Sequence, residues 1–321
     1  MSESRTPIPV PRPTRRSALL LWVISAAGLF AATLVLAILL LIFGDMDVQI
    51  QMLINSFVYY LPFLALPVYL VVRREPEMWR NLRPYPISIV SVLVIVVLAL
   101  ASVILMTNII ALWTIVLEAV GLGGSGASLN VPASTPGLLL CIFHTAVMPA
   151  IFEEFLFRGV VLPAFERNGT RHAVAVSAVL FALLHGSLTG LPAHLLLGLI
   201  MGTLVVCCNS IYAGLIFHTA YNAATIILVA IARRGADAAE AESARMLDVI
   251  GGLSGVIPLV IETLMLGAIM LFGLRLFRLR ARLRGVAFVP RSREPLSKGE
   301  RRLLIAGLVI VLLLFIVNIL I

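Results

Sequence analysis

The feature that most constrains this chain is a succession of uninterrupted apolar runs, several of them 20 residues or longer. In lipid, only helices and closed barrels satisfy every backbone N–H and C=O. Barrel strands alternate apolar and polar residues with period two, and these runs do not alternate, so they predict spanning helices. Composition agrees: hydrophobic residues make up 61% of the chain and charged residues 12%, against about 25% charged in a soluble domain. The expected fold is an all-α polytopic membrane protein of about eight to nine transmembrane helices, with a catalytic core in helices four to seven.

Nine runs are candidate spans: Ser17–Phe43, Met52–Val72, Ile87–Leu117, Leu138–Phe165, Ala173–Leu188, Leu191–Cys208, Ile211–Ala232, Gly251–Leu274 and Leu303–Ile321. The third is long, so it is expected either to lie partly along the interface or to break near Asn108. Met1–Arg16 is polar and holds Pro7, Pro9, Pro11 and Pro13. It is read as a disordered cytoplasmic tail (1–16) ahead of a helical membrane domain (17–321) whose core is 138–232. The first apolar run is too long for a signal-peptide core and has no small-residue cleavage site after it. Gly121–Gly137 reads as a loop, and the mixed charges of Arg233–Asp248 as a loop with a short surface helix. No internal or inverted repeat of the transporter kind is visible.

The formal charge is +8, and its placement decides its meaning. With the N-terminus inside, the basic residues gather in the tail, around Arg73–Arg83, around Arg158–Arg171 and between Arg275 and Arg302. Of the 24 Lys and Arg residues, only Arg233, Arg234 and Arg245 fall outside. This is the positive-inside asymmetry of a cytoplasmic-membrane protein, with attraction to anionic lipid heads as a second effect. Nucleic acid is not needed to explain it. Cys141, Cys207 and Cys208 have no metal spacing and read as packing residues.

Ionisable groups inside spans are costly, so each is a functional hypothesis. Three clusters stand out. In Glu153-Glu154-Phe-Leu-Phe-Arg158, adjacent carboxylates point about 100° apart. Glu154 and Arg158, at i and i+4, share a face and can pair. Glu153 is then left to face another helix, where a carboxylate held out of water suits a general base. Phe181 and His185 share a face of the next run, and His218 and Asn222 share a face of a later one. Depth agrees: Glu153 lies as far from Glu166 as His185 lies from His172, about 20 Å at 1.5 Å per residue. His218 and Asn222 come about 12 and 18 Å from the same side if their helix enters at Ser210. Four polar groups can thus meet at similar depth. His144, His172 and His194 read as structural, the last near the outer interface. Glu262 is expected to line a cavity or to pair with an arginine, and Trp22, Trp79 and Trp113 to anchor at the interface.

Glu-Glu-x-x-x-Arg, Phe-x-x-x-His and His-x-x-x-Asn, in that order and with Gly159 after Arg158, resemble the motifs of the CAAX protease and bacteriocin-processing (CPBP, or Abi) family of intramembrane endopeptidases. The resemblance covers roughly Leu138 to Ala232. It implies that Glu153 activates water, that His185 holds or polarises that water, and that His218 and Asn222 stabilise the oxyanion. Glu154, Arg158 and Phe181 would support them. The substrate would be a membrane-associated protein or peptide, such as a prenylated C-terminus or a leader peptide. The resemblance leans toward a mechanism without a metal. If zinc were the cofactor, Glu153, His185 and His218 would be its ligands, although the His-Glu-x-x-His arrangement is absent. Two other readings stay open: a non-catalytic scaffold or bacteriocin immunity protein on the same fold, and a transporter or proton relay.

Overall fold

The computed structural model describes residues 13–44, 50, 54, 82–122, 131–132, 134–235, 246–286, 288–292 and 294–320. The expected second span, Met52–Val72, lies almost wholly outside them, as do Trp79 and the arginines between 73 and 80. Among the described residues there is no strand, and eight main helices follow one another. They are α1 (Arg15–Phe43), α2 (Ile89–Ala119), α3 (Thr135–Asn168), α4 (Thr170–Leu184), α5 (Leu191–Cys208), α6 (Ile211–Gly235), α7 (Leu253–Leu283) and α8 (Lys298–Leu320). All except α4 are long and apolar enough to cross a membrane. The protein is an all-α, multi-pass membrane protein. A single helical turn, Met246–Val249, lies between α6 and α7.

Local chemistry sets where the helices begin. The hydroxyls of Thr14, Ser88 and Ser134 accept hydrogen bonds from the backbone N–H of Ser17, Ser91 and Gly137, each capping an N-terminus. Before α8, Ser297 and Glu300 form a reciprocal capping box: the Glu300 N–H donates to Ser297 Oγ (3.2 Å) and the Ser297 N–H donates to Glu300 Oε2 (2.7 Å). Helices α4 and α5 pack closely, as do α1 with α8 and α2 with α6 and α7. Glycines allow the tightest approaches. A Cβ on Gly198 of α5 would stand 2.8 Å from the Ala178 backbone of α4, and one on Gly307 of α8 would collide with the Trp22 ring.

The α3 rod is not uniform. Two segments, Phe143–Val147 and Phe155–Val161, are π-helical, with i→i+5 bonds such as Met148 N–H to Phe143 O. Each runs into a proline, Pro149 and Pro163. Proline has no N–H for the carbonyl four residues back and crowds it sterically. Those carbonyls belong to Thr145 and Gly159, inside the two π segments. The ladder slips by one residue there rather than breaking.

Several expectations change. Helix α2 runs unbroken through Asn108, whose amide donates to Glu262 Oε2 of α7 at 3.1 Å. Glu262 is thus paired with an amide rather than an arginine. Trp22 is no interfacial anchor: it is fully buried, and its indole N–H donates to the Leu180 carbonyl at 3.0 Å. Order begins before residue 17, because Arg15 is helical and bonds Glu300, Asn168 and the carbonyls of Glu294 and Pro295. Helix α7 continues nine residues past Leu274, to Leu283. The expected span Ala173–Leu188 instead ends at Leu184. At 15 residues, α4 is about 22 Å long, shorter than the roughly 30 Å hydrocarbon core.

Candidate active site

The short α4 brings its C-cap, His185, into the bundle. The chain turns there through Gly186, whose φ of +58° is left-handed. A Cβ at that position would also stand 2.7 Å from Leu314 of α8. Irregular backbone at membrane depth must be satisfied by protein. Asn318 of α8 donates to the Gly186 carbonyl (3.0 Å) and the Trp113 indole of α2 to that of Leu188 (2.9 Å).

Glu154 and Arg158 form the base of the site. Both side chains are fully buried, and Arg158 Nη1 donates to Glu154 Oε1 at 2.7 Å. The second guanidinium nitrogen, Nη2, donates to the Gly198 carbonyl of α5 at 3.2 Å. The guanidinium carbon lies 4.8 Å from the centre of the Phe181 ring, a cation–π contact in a dry setting. Phe181 stands between the motifs: its ring centre is 4.6 Å from His185, 6.0 Å from His218 and 5.2 Å from Phe157. Gly214 of α6 leaves room for the carboxylate, since a Cβ there would overlap Glu154 Oε2.

Glu153 faces the other way. Its Oε2 lies 3.7 Å from His185 Nε2 and 4.0 Å from His218 Nε2. Both separations exceed hydrogen-bond range, and this buried oxygen has no hydrogen-bond partner among the described residues. The far side of each imidazole is fixed. His185 Nδ1 donates to the Phe181 carbonyl at 2.9 Å, because a carbonyl only accepts; the neutral ring therefore presents Nε2 as an acceptor. His218 Nδ1 lies 3.3 Å from Glu154 Oε1, and as donor it uses the carboxylate that also holds Arg158. Asn222, one turn along α6 from His218, donates to the Thr145 carbonyl at 3.1 Å. That is the carbonyl for which Pro149 has no N–H. This bond uses one of the two amide hydrogens of Asn222.

The structure thus brings Glu153, Glu154, Arg158, Phe181, His185 and His218 together, with Asn222 on the next turn of the His218 face. One residue was missed. His194 of α5 is no interfacial residue: its ring stacks on His185, centroids 3.9 Å apart and planes 23° apart. Its buried Nδ1 has no hydrogen-bond partner among the described residues. Gly190 accommodates it, as a Cβ there would lie 2.6 Å from the ring. The sequence signal was present, a histidine within an apolar run, but the loop 185–190 had to be folded to bring the rings together. His144 bonds its neighbour Thr145 (3.3 Å), and His172 lies beside Phe165. Among the described residues, no three His, Cys, Asp or Glu side chains are grouped as a metal-binding set.

Residues 135–224, the stretch that carries every one of these motif residues, match a protein family described as Rce1-like, type II CAAX prenyl endopeptidase Rce1-like. Over this core the chain is similar to the CAAX protease and bacteriocin-processing family. The match covers α3 to α5 and the first part of α6, and the flanking helices α1, α2, α7 and α8 lie outside it. No curated protein and no solved structure matches the chain. The CPBP family is one of proteases, which supports endopeptidase activity of the CAAX intramembrane type.

Proposed function

We propose that this protein hydrolyses peptide bonds of membrane-associated proteins or peptides with a water activated by Glu153. The observation that carries this reading is the Glu153 carboxylate oxygen, buried and flanked at 3.7 and 4.0 Å by two imidazole nitrogens. Groups at such separations are bridged by one water. A water there donates one hydrogen to Glu153 and the other to His185 Nε2, leaving its oxygen lone pair for attack. Glu153 takes the proton as the water oxygen bonds the carbonyl carbon. It returns that proton to the leaving amine as the C–N bond breaks.

The oxyanion of the tetrahedral intermediate needs donors aimed before the reaction starts. His218 bonds Glu154 through Nδ1 and turns Nε2 toward the same gap, 4.0 Å from Glu153 Oε2, where as an imidazolium it donates to the oxyanion. Asn222 offers its remaining amide hydrogen from the next turn. If zinc were bound, Glu153, His185 and His218 would hold it, and it would polarise the attacking water. Substrates of the prenylated C-terminus or leader-peptide kind would enter from the bilayer or its cytoplasmic face. The N-terminus would lie in the cytoplasm and the protein in the cytoplasmic membrane, as the arginine placement favours.

The test compares reconstituted wild type with Glu153→Gln on a panel of membrane-anchored reporter peptides, with and without a chelator. Cleavage by wild type alone, unchanged by chelator, is expected. Loss of cleavage on chelation, restored by zinc, would replace the glutamate mechanism with a metal one. Equal cleavage by both proteins would sink Glu153 as the base.

A further inference from the structure

On the far side of α5 from the Glu153 cluster, α2, α4, α5 and α7 line a cavity of about 760 Å³. Leu199, Thr203 and Val206 line it, on the face of α5 turned away from His194 and Gly198. Met106 of α2 and Met270 of α7 continue the apolar wall. Nothing lies within 4 Å of where a Cβ on Gly267 would stand, so α7 is open there.

One end of this slot is different. Arg171, in the first turn of α4, and Arg278 and Arg282, near the end of α7, all line it and are exposed. Among the described residues, none of the three has an acidic partner. The slot reaches along α7 from Thr263 to the arginine end at Arg278 and Arg282, about 22 to 28 Å at 1.5 Å per residue. One leaflet contributes roughly 15 Å of hydrocarbon. The slot therefore has the reach of one acyl chain plus its headgroup, and cations stand where the headgroup falls.

We propose that this cavity binds an anionic phospholipid, with an acyl chain along α2, α5 and α7 and its phosphate on Arg171, Arg278 and Arg282. An apolar slot alone discriminates little, because bulk lipid tails are equally apolar. Selectivity comes from the guanidinium groups, whose planar forks match phosphate oxygens, in a basic pocket between helices at one membrane face. A zwitterionic headgroup brings its own cation against three arginines, and a free phosphate lacks the chain. The site shares no residue with the proposed catalytic cluster, so it stands whether or not that reading holds.

Native mass spectrometry of the delipidated full chain, titrated with phosphatidylglycerol, phosphatidylcholine or glycerol phosphate, tests this. Phosphatidylglycerol is expected to bind about tenfold more tightly than phosphatidylcholine, a difference of roughly 1.4 kcal/mol, and glycerol phosphate is not expected to displace it. Replacing all three arginines with glutamine should remove the preference. Gly267→Phe, which fills the slot and keeps the arginines, should weaken phosphatidylglycerol binding by a similar factor. Thermal unfolding checks that both variants fold; if the triple variant does not, Gly267→Phe and the competition experiment decide. Equal binding of the two lipids, unchanged binding by a folded variant, or displacement by glycerol phosphate would each overturn the proposal.

Discussion

Two adjacent glutamates do different work, and substitution should separate them. Among the described residues Glu153 Oε2 has no hydrogen-bond partner, so Glu153→Gln should leave thermal stability nearly unchanged. It should lower the cleavage rate by about 10²–10⁴, the contribution of a positioned base. Glu154 holds buried Arg158 at 2.7 Å. Glu154→Gln strands that cation, a loss of about 3–5 kcal/mol, and should be read first as reduced yield and a lowered unfolding temperature. Gly214→Ala should mimic the second outcome, since its methyl group needs the space of the Glu154 carboxylate. His194→Ala removes the ring stacked on His185 and should reduce kcat more than it reduces stability. Unchanged kcat for that variant would make His194 a packing residue only.

At the scale of elements, proline placement shapes the site. Pro149 leaves the Thr145 carbonyl without its usual donor, and Asn222 binds there. Pro149→Ala restores an N–H that competes with Asn222 and removes the reason for the π segment. It should preserve or raise the unfolding temperature while lowering the cleavage rate by about tenfold or more, toward the 10²–10³ cost of one lost oxyanion donor. A rate equal to wild type would show that the Asn222–Thr145 bond has no bearing on the chemistry. The early end of α4 works in the same direction. A full-length fifth span would have carried the chain past His185 and hidden it in a continuous helix face.

At the scale of the molecule, the first and last helices close the bundle. Arg15 of α1 bonds Glu300 of α8 at 3.1 Å and Asn168, the last residue of α3, at 3.2 Å. These groups are partly exposed, so screening reduces the worth of the pair. Arg15→Gln should cost about 1–2 kcal/mol, in the range of a hydrogen bond to a charged group. Cleavage per folded molecule should be unchanged. A changed cleavage rate at wild-type stability would couple this clasp to the active cluster instead.

The sequence by itself determined the solvent and the parts. Continuous apolar runs demand helices in lipid, because backbone groups there have no water to bond. Spacings of three and four residues place Glu154 with Arg158 and His218 with Asn222 on shared faces, because a helix turns every 3.6 residues. Depth counting also put Glu153 and His185 level, and they meet. What only the tertiary structure decided lies at breaks in regularity and between helices. His194 reaches His185 only through a loop whose path depends on α2 and α8. The π slips at Pro149 and Pro163 are set by ladder bonds that periodicity does not report. Trp22 looks like an interfacial anchor until Gly307 of a distant helix lets it be buried. Helical periodicity is a local property, legible residue by residue, whereas these features rest on which helix becomes whose neighbour.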